Sequence, residues 1–343
     1  MKRSIPLWPL LAAAALSVAV PAAAQDKVVN VYSSRHYQTD EKLYRDFTKA
    51  TGIQVRLIEG KEDALIERIR NEGANSPADV LITVDAGRLW RAEELDLFAP
   101  VKSQVLDNRL PASFRHPEGK WFGFSYRARV IVYNKDKVKP GEITSYADLA
   151  DPKWKGRICV RSSSNIYNLS LLAALIHHWG EDKARQWAKD VKENLARDPK
   201  GGDTDQIKAV AAGECDVAIS NHYYYVRLMN SDKPEDKKVV EKVALVWPDQ
   251  NGNGTHVNVS GAGLIKTAPH KQAAIKFLEY LASDQAQAYF AAGNNEWPVV
   301  SSAAYRNPAL ASLGKFKADS LNVSVLGKNQ ALAQKIYDQV GWK

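Results

Sequence analysis

The sequence predicts an α/β protein of two lobes, each a mixed, mostly parallel sheet flanked by helices, with strands crossing between the lobes. Three observations predict it. Apolar runs with strand period and amphipathic runs with helical period alternate along most of the chain. About 320 residues follow an N-terminal targeting stretch, enough for two domains of ordinary size. The segment "WFGFSYRARVIVYNK" is long and strand-rich with no helix signal, which suits a crossing between lobes.

In the first lobe, "KVVNVYS" reads as a strand, and "DEKLYRDFTKATG" as a helix with Leu43, Phe47 and Ala50 on one face and Gly52 as its stop. "IQVRLIEG" is a strand, "KEDALIERIRNEG" a helix, "ADVLITV" a strand and "DAGRLWRAEELDLF" a helix. The second lobe repeats the pattern with "GRICVRS" as a strand, then "NLSLLAALIHHWG", "EDKARQWAKDVKENLA" and "TDQIKAVAAGE" as helices, then "CDVAIS" as a strand. After the strand "KVALVWP" comes a glycine-rich loop, and "NVSGAGLIKTAPHKQAAIKFLEYLAS" returns a strand and a helix to the first lobe. The chain closes on a helical "NQALAQKIYDQVGWK". The expected lobes are 25–126 with 256–297, and 127–255 with 298–343.

The opening "MKRSIPLWPLLAAAALSVAVPAAAQDK" has two basic residues, an apolar stretch and a small-residue end at Ala22, Ala23 and Ala24. Residues 1–24 read as a secretory signal peptide cut after Ala24. No cysteine stands directly after the cut, which argues against a lipid anchor, and no later apolar run is long enough to cross a bilayer. A soluble protein exported to a bacterial periplasm is expected, monomeric and not inserted in the membrane. The net charge of +8 includes Lys2 and Arg3, which leave with the signal to give +6. Lys and Arg are scattered among Asp and Glu, so the surface reads as solvated and mixed, with no nucleic-acid partner.

Cys159 in "GRICVRS" and Cys215 in "GECDVAIS" are the two cysteines of the chain. An even count in an exported protein favours a bond between them, with two buried free thiols as the alternative.

Ligands collect beyond the carboxyl ends of strands in open parallel sheets. The stretches found there are "SSRHYQ", "VDAG", "RSSSNIYN" and "NHYYYV", three of which carry tyrosine. Read as a strand, the run from Tyr223 to Tyr225 puts Tyr224 and Tyr225 on opposite faces. Taken alone it also fits an aromatic edge strand, and Tyr37 and Tyr167 alone also fit tyrosines lining a rim. His177 and His178 are adjacent in an apparent helix, where their side chains point apart, so a shared metal is not expected.

The segments "VYSSRHYQTD", "SPADVLITVDAG", "RARVIVYNK", "KWKGRICVRSSSNIYN", "GECDVAISNHYYY" and "NNEWPV" together resemble the ferric-binding family. These are periplasmic solute-binding proteins of ABC transporters with the type II binding-protein fold. The resemblance spans nearly the whole chain after residue 24. It implies that Tyr223 and Tyr224 are the iron-binding tyrosine pair, that Tyr167 and Tyr37 are further phenolate ligands, and that His36 stands where some members use a histidine. It also implies Fe³⁺ as cargo, a companion anion such as carbonate as an allowed addition, and an inner-membrane permease as partner. Members with a carboxylate ligand carry Glu at the position resembling Val84, which favours a tyrosine site here. Arg127 or Arg129 matches an arginine that supports the site or an anion, and Arg35 adds a third cation nearby.

The residue chemistry points the same way. Ferric ion is hard and trivalent and prefers anionic oxygen. Four phenolates around it leave about one negative charge for arginine to offset. A hydrolase would need a nucleophile with its base, and no G-x-S-x-G, H-E-x-x-H or Cys-His signature occurs, so no enzyme is expected. The alternative is a binding protein of the same fold for an oxyanion, polyamine or sugar. Ser33, Ser34 and Ser162 to Ser164 keep an anion in view.

Overall fold

The computed structural model describes residues 27–35 and 38–343. The expected signal peptide, with His36 and Tyr37, lies outside them. Ten strands are present among the described residues. They are β1 (Val28–Ser33), β2 (Gln54–Glu59), β3 (Val80–Thr83), β4 (Phe98–Ala99), β5 (Phe122–Asn134), β6 (Ile158–Cys159), β7 (Val217–Asn221), β8 (Val243–Val246), β9 (Val257–Ile265) and β10 (Trp297–Pro298). Their order is β2-β1-β3-β9-β5-β7-β6, with β4 on β9 and with β8 and β10 on β5.

The long strand β5 organises the rest. All but one of its residues are buried, as expected of a run that is apolar on both faces. From Phe122 to Ala128 it pairs antiparallel with β9, and from Arg129 to Tyr133 it pairs antiparallel with β7. The change of partner therefore falls between Ala128 and Arg129. Alternation along the strand sends Ile131 and Tyr133 into one apolar cluster, and Val130 and Val132 into the other.

Among the strands named above, parallel pairing is confined to β1 with β2 and β3, and to β6 with β7. The sheet is more mixed than alternation alone predicts. β5 and β9 enter it antiparallel to their neighbours, without the helical crossover that parallel strands need. The glycines of "NVSGAG" belong to β9, not to a ligand loop. A Cβ on Gly261 would lie 2.5 Å from the carbonyl oxygen of Phe122, so the close approach of β9 to β5 needs glycine there.

Most helices fall where the sequence places them, including Gln38–Thr51, Glu62–Glu72, Ala86–Glu94, Ile166–Trp179, Glu181–Glu193, Asp203–Ala212, Lys271–Leu281 and Gln330–Val340. Pro234–Lys242 and Asp284–Asn294 were not expected, nor were the short helices Gln104–Arg109, Pro308–Ser312 and Ser324–Lys328. The first is mostly charged, and Val239 and Val240 are its only apolar side chains, too few to show a helical period. The tyrosine stretch is the main correction. His222–Met229 is a helix, not a strand or loop, so its three phenols fan out at helical spacing.

Cys159 and Cys215 are bonded, with their Cα atoms 5.8 Å apart. The bond ties β6 to the segment entering β7, its parallel neighbour. A closed loop of this length stabilises by about 4 kcal/mol in the chain-entropy picture. Reduction is expected to lower the denaturant midpoint, and thiol titration of the unfolded, unreduced protein should find no free thiol.

Candidate metal centre

Two strand-to-helix junctions and one strand build the site. β7 ends at Asn221 and passes directly into the helix His222–Met229, so Tyr223 and Tyr224 lie in its first turn. Asn165 caps the helix Ile166–Trp179 by accepting a hydrogen bond from the backbone N–H of Tyr167, 3.1 Å, which places Tyr167 in that helix's first turn. The two turns meet, and the Tyr223 hydroxyl donates to the Tyr167 hydroxyl over 3.2 Å. The rings of Tyr223 and Tyr224 lie 4.4 Å apart. Tyr223 is buried, while Tyr167 and Tyr224 keep partial access to solvent.

Tyr225 does not join them. It is buried, and its hydroxyl donates to the carbonyl of Val243 in β8 over 3.3 Å. The contrast with Tyr224 comes from helical spacing, not from alternating strand faces. His222 is also excluded as a ligand. Its Nδ1 accepts from the N–H of Ala128 at 3.1 Å, and its Nε2 lies 2.8 Å from the carbonyl of Asn295. A carbonyl can only accept, so Nε2 carries the proton and both ring nitrogens are engaged. Burial pushes the imidazole pKa down to about 3, so the ring stays neutral, stacked 3.8 Å from Trp297.

Guanidinium groups surround Tyr167. Those of Arg127, Arg129 and Arg161 lie 5.9, 5.8 and 5.4 Å from its ring centre, and Arg227 lies 5.3 Å from that of Tyr224. Arg127 and Arg129 are two residues apart on β5 and so share a face. Arg129 donates to Asp203 and Asn221, both at 3.0 Å, and to Asn168 at 2.6 Å. Asp203 lies 3.6 Å from Arg161 as well. Burial works against the charge of Arg161, but Asp203 and the phenols of Tyr224, Tyr167 and Tyr223 outweigh it and raise its pKa. Burial likewise opposes the charge of Arg127, and Glu296, Tyr223 and Tyr167 reverse the balance.

Arg35 sits at the end of β1, directly before His36 and Tyr37. Its Nε is 2.9 Å from Asp40 and its Nη1 3.3 Å from Glu296. The loop around Val84 has no open carboxylate. Glu62 accepts from the Val84 N–H at 2.8 Å, and Asp85 accepts from Gly87, Ser170 and Asn258. His178 pairs with Asp319 at 2.7 Å. Among the described residues no group of three or more His, Cys, Asp or Glu is arranged to hold a metal.

Arg161, Asp203 and Glu296 were missed as site residues by the sequence reading. Arg161 lies in "CVRSSSNIYN", six residues before Tyr167, and Glu296 in "NNEWPV". Asp203 opens a helix in an unremarkable polar stretch, and only its packing against β5 gives it a role.

Residues 75–318 match the family described as bacterial extracellular solute-binding protein. The chain belongs to that family. This solute-binding protein is 53% identical over 319 residues to Iron uptake protein A1 of Synechocystis sp., covering 93% of this chain and 88% of that relative. A Trichodesmium protein, FutA or IdiA, solved in complex with iron and citrate, superposes with a TM-score of 0.89 at 58% identity, over 92% of this chain and 100% of that one. The ferric binding protein of Campylobacter jejuni gives 0.86 at 39% identity, over 92% and 100%. These likenesses bear out the type II binding-protein architecture.

Because Arg129 is about 2% exposed and relies on Asp203, Asp203→Ala should leave a buried charge without its carboxylate. The expected loss of stability is about 3–5 kcal/mol, read from denaturant unfolding of the iron-free protein.

Proposed function

We propose that this chain captures ferric ion through the phenolates of Tyr167, Tyr223, Tyr224 and Tyr37, with His36 as a fifth ligand, and delivers it to an ABC permease for import. The observation that carries this reading is the meeting of three phenols in two helix first turns beneath the guanidinium groups of Arg127, Arg129 and Arg161. Cationic neighbours and helix N-termini both favour the phenolate form that a hard trivalent ion requires. Relatives named for iron uptake and solved with iron and citrate support the choice of cargo. The role is binding and transport, not catalysis.

Capture proceeds by closure of two lobes, 25–126 with 256–297 and 127–255 with 298–343. The switch of β5 from β9 to β7 after Ala128 supports a hinge near that boundary. The protein works as a soluble monomer in the periplasm, exported by residues 1–24. An oxyanion is the second reading, favoured by the Nε atoms of Arg127 and Arg129, which are buried without a hydrogen-bond partner. Carbonate, as cargo or as companion to iron, would compete with Asp203 and Glu296 for that charge.

Phe variants test the assignment, since Phe keeps the ring and removes only the oxygen. Tyr167→Phe and Tyr223→Phe are each expected to lower ferric affinity more than about 100-fold in chelator competition, beyond the ~10–100-fold usual for residues that only orient a ligand. Tyr225→Phe should leave it unchanged, and equal losses at all three positions would overturn the assignment. A metal holds a phenol only as phenolate, and a phenol's ordinary pKa is about 10. Ferric affinity, corrected for iron hydrolysis and chelator protonation, should therefore fall by orders of magnitude as pH drops from about 8 to about 5. A flat profile would count against phenolate ligation.

A further inference from the structure

Glu296 lies at the end of the segment that enters β10 and is 2% exposed. It accepts hydrogen bonds from the Ser125 hydroxyl at 2.7 Å, the Ser260 hydroxyl at 3.3 Å and Arg35 at 3.3 Å, and it lies 4.0 Å from Arg127. One carboxylate thus stands between two buried arginines that come from different parts of the chain. Arg35 directly precedes His36 and Tyr37, and Arg127 faces Tyr167. Arg127 also donates to Ser260 at 3.1 Å, which closes the network on β9. Asp40 takes the remaining face of Arg35 through Oδ2 at 2.9 Å and Oδ1 at 3.3 Å.

We infer that Glu296 determines what kind of ion the cleft accepts, by cancelling guanidinium charge that would otherwise recruit a small anion beside Tyr167. The inference rests on the ferric reading of the site. Donors for such an anion are already in place, because Nε of Arg127 and Nε of Arg129 are both buried and unpartnered. Arg127, Arg129, Tyr167, Asn221, His256 and Asn258 line a small polar recess there. With Glu296 ionised, Arg35 and Arg127 are matched by Asp40 and Glu296, and the phenolates supply all the anionic oxygen that iron needs. Without it, one more positive charge is left uncompensated, beyond the Arg129 and Arg161 pair that already shares Asp203, and an anion becomes the way to restore balance. The carboxylate acts on iron through the arginines, as a positioning and charge-setting residue.

The test measures ferric affinity by chelator competition in carbonate-free buffer and again with added bicarbonate. The wild-type protein is expected to give the same affinity in both. Glu296→Gln should gain about tenfold without bicarbonate, because the freed guanidinium offsets the negative charge that four phenolates leave around Fe³⁺, the scale of one unit charge at ~10 Å in a medium of effective dielectric ~20. It should lose that gain when bicarbonate is added, and its iron-free form should bind bicarbonate in calorimetry where the wild type does not. The double variant Arg127→Gln with Glu296→Gln removes both charges and should be insensitive to bicarbonate at whatever affinity it retains. A purely structural role for Glu296 predicts a loss instead, equal in both buffers, which would overturn the inference. Wild-type affinity that depends on bicarbonate would overturn it too, and decides the matter even if the single variant does not fold. Wild-type protein that binds no ferric ion would instead remove the underlying reading of the site.

Discussion

The structure depends on the burial of guanidinium groups along β5. Arg127 and Arg129 are both about 2% exposed, at the place where the strand changes partners, and neither could remain charged there alone. Their compensation reaches in every direction. Asp203 opens a helix behind β7, Asn168 belongs to the helix of Tyr167, Asn221 is the last residue of β7, and Glu296 comes from the segment entering β10. The elements that carry the phenols are thereby fixed to the elements that carry the positive charge. A site for a trivalent cation needs this arrangement, because clustered phenolates repel one another until the metal arrives, and buried cations of fixed position reduce that repulsion.

Placement of the phenols follows from local rules. Tyr167 and Tyr223 occupy the first turns of two helices, where backbone N–H groups and the helix dipole favour negative charge. Asn165 holds one of those turns in place by capping it. The other turn begins one residue after β7 ends, and the hydrogen bonds of His222 to Ala128 and Asn295 pin its start. His222 stands directly before three tyrosines in the sequence. Its use of both ring nitrogens shows that it is a brace. Tyr225 in turn anchors the same helix to β8. Only Tyr223 and Tyr224 of the stretch therefore lie on the side of Tyr167, and the others make that orientation stable.

Much of this was legible in the sequence because strand and helix periods are long and regular there. Period and caps located β1 to β3, the helices between them, and the convergence of tyrosine-bearing segments at strand ends. Two kinds of information were not legible. A short helix that begins with four aromatic residues, His222 to Tyr225, has no visible apolar period, so a strand reading competes with it until β7 is seen to end at Asn221. Charge compensation also depends on contacts between distant segments. Arg127 stood out beside an apolar strand, but Glu296 is 169 residues away and Asp203 lies in an ordinary polar stretch. Nothing in their neighbours' identities signals that their carboxylates are buried.

The central claim is that phenolate oxygen from these helix turns holds the ferric ion. The most direct measurement is a titration of the iron-free protein with ferric iron supplied from a weak chelator, followed by visible absorption. The account predicts a phenolate-to-iron charge-transfer band that rises to a break at one ion per chain and is abolished in the folded Tyr167→Phe, Tyr223→Phe double variant. Tight one-to-one binding of ferric iron without that band would contradict it.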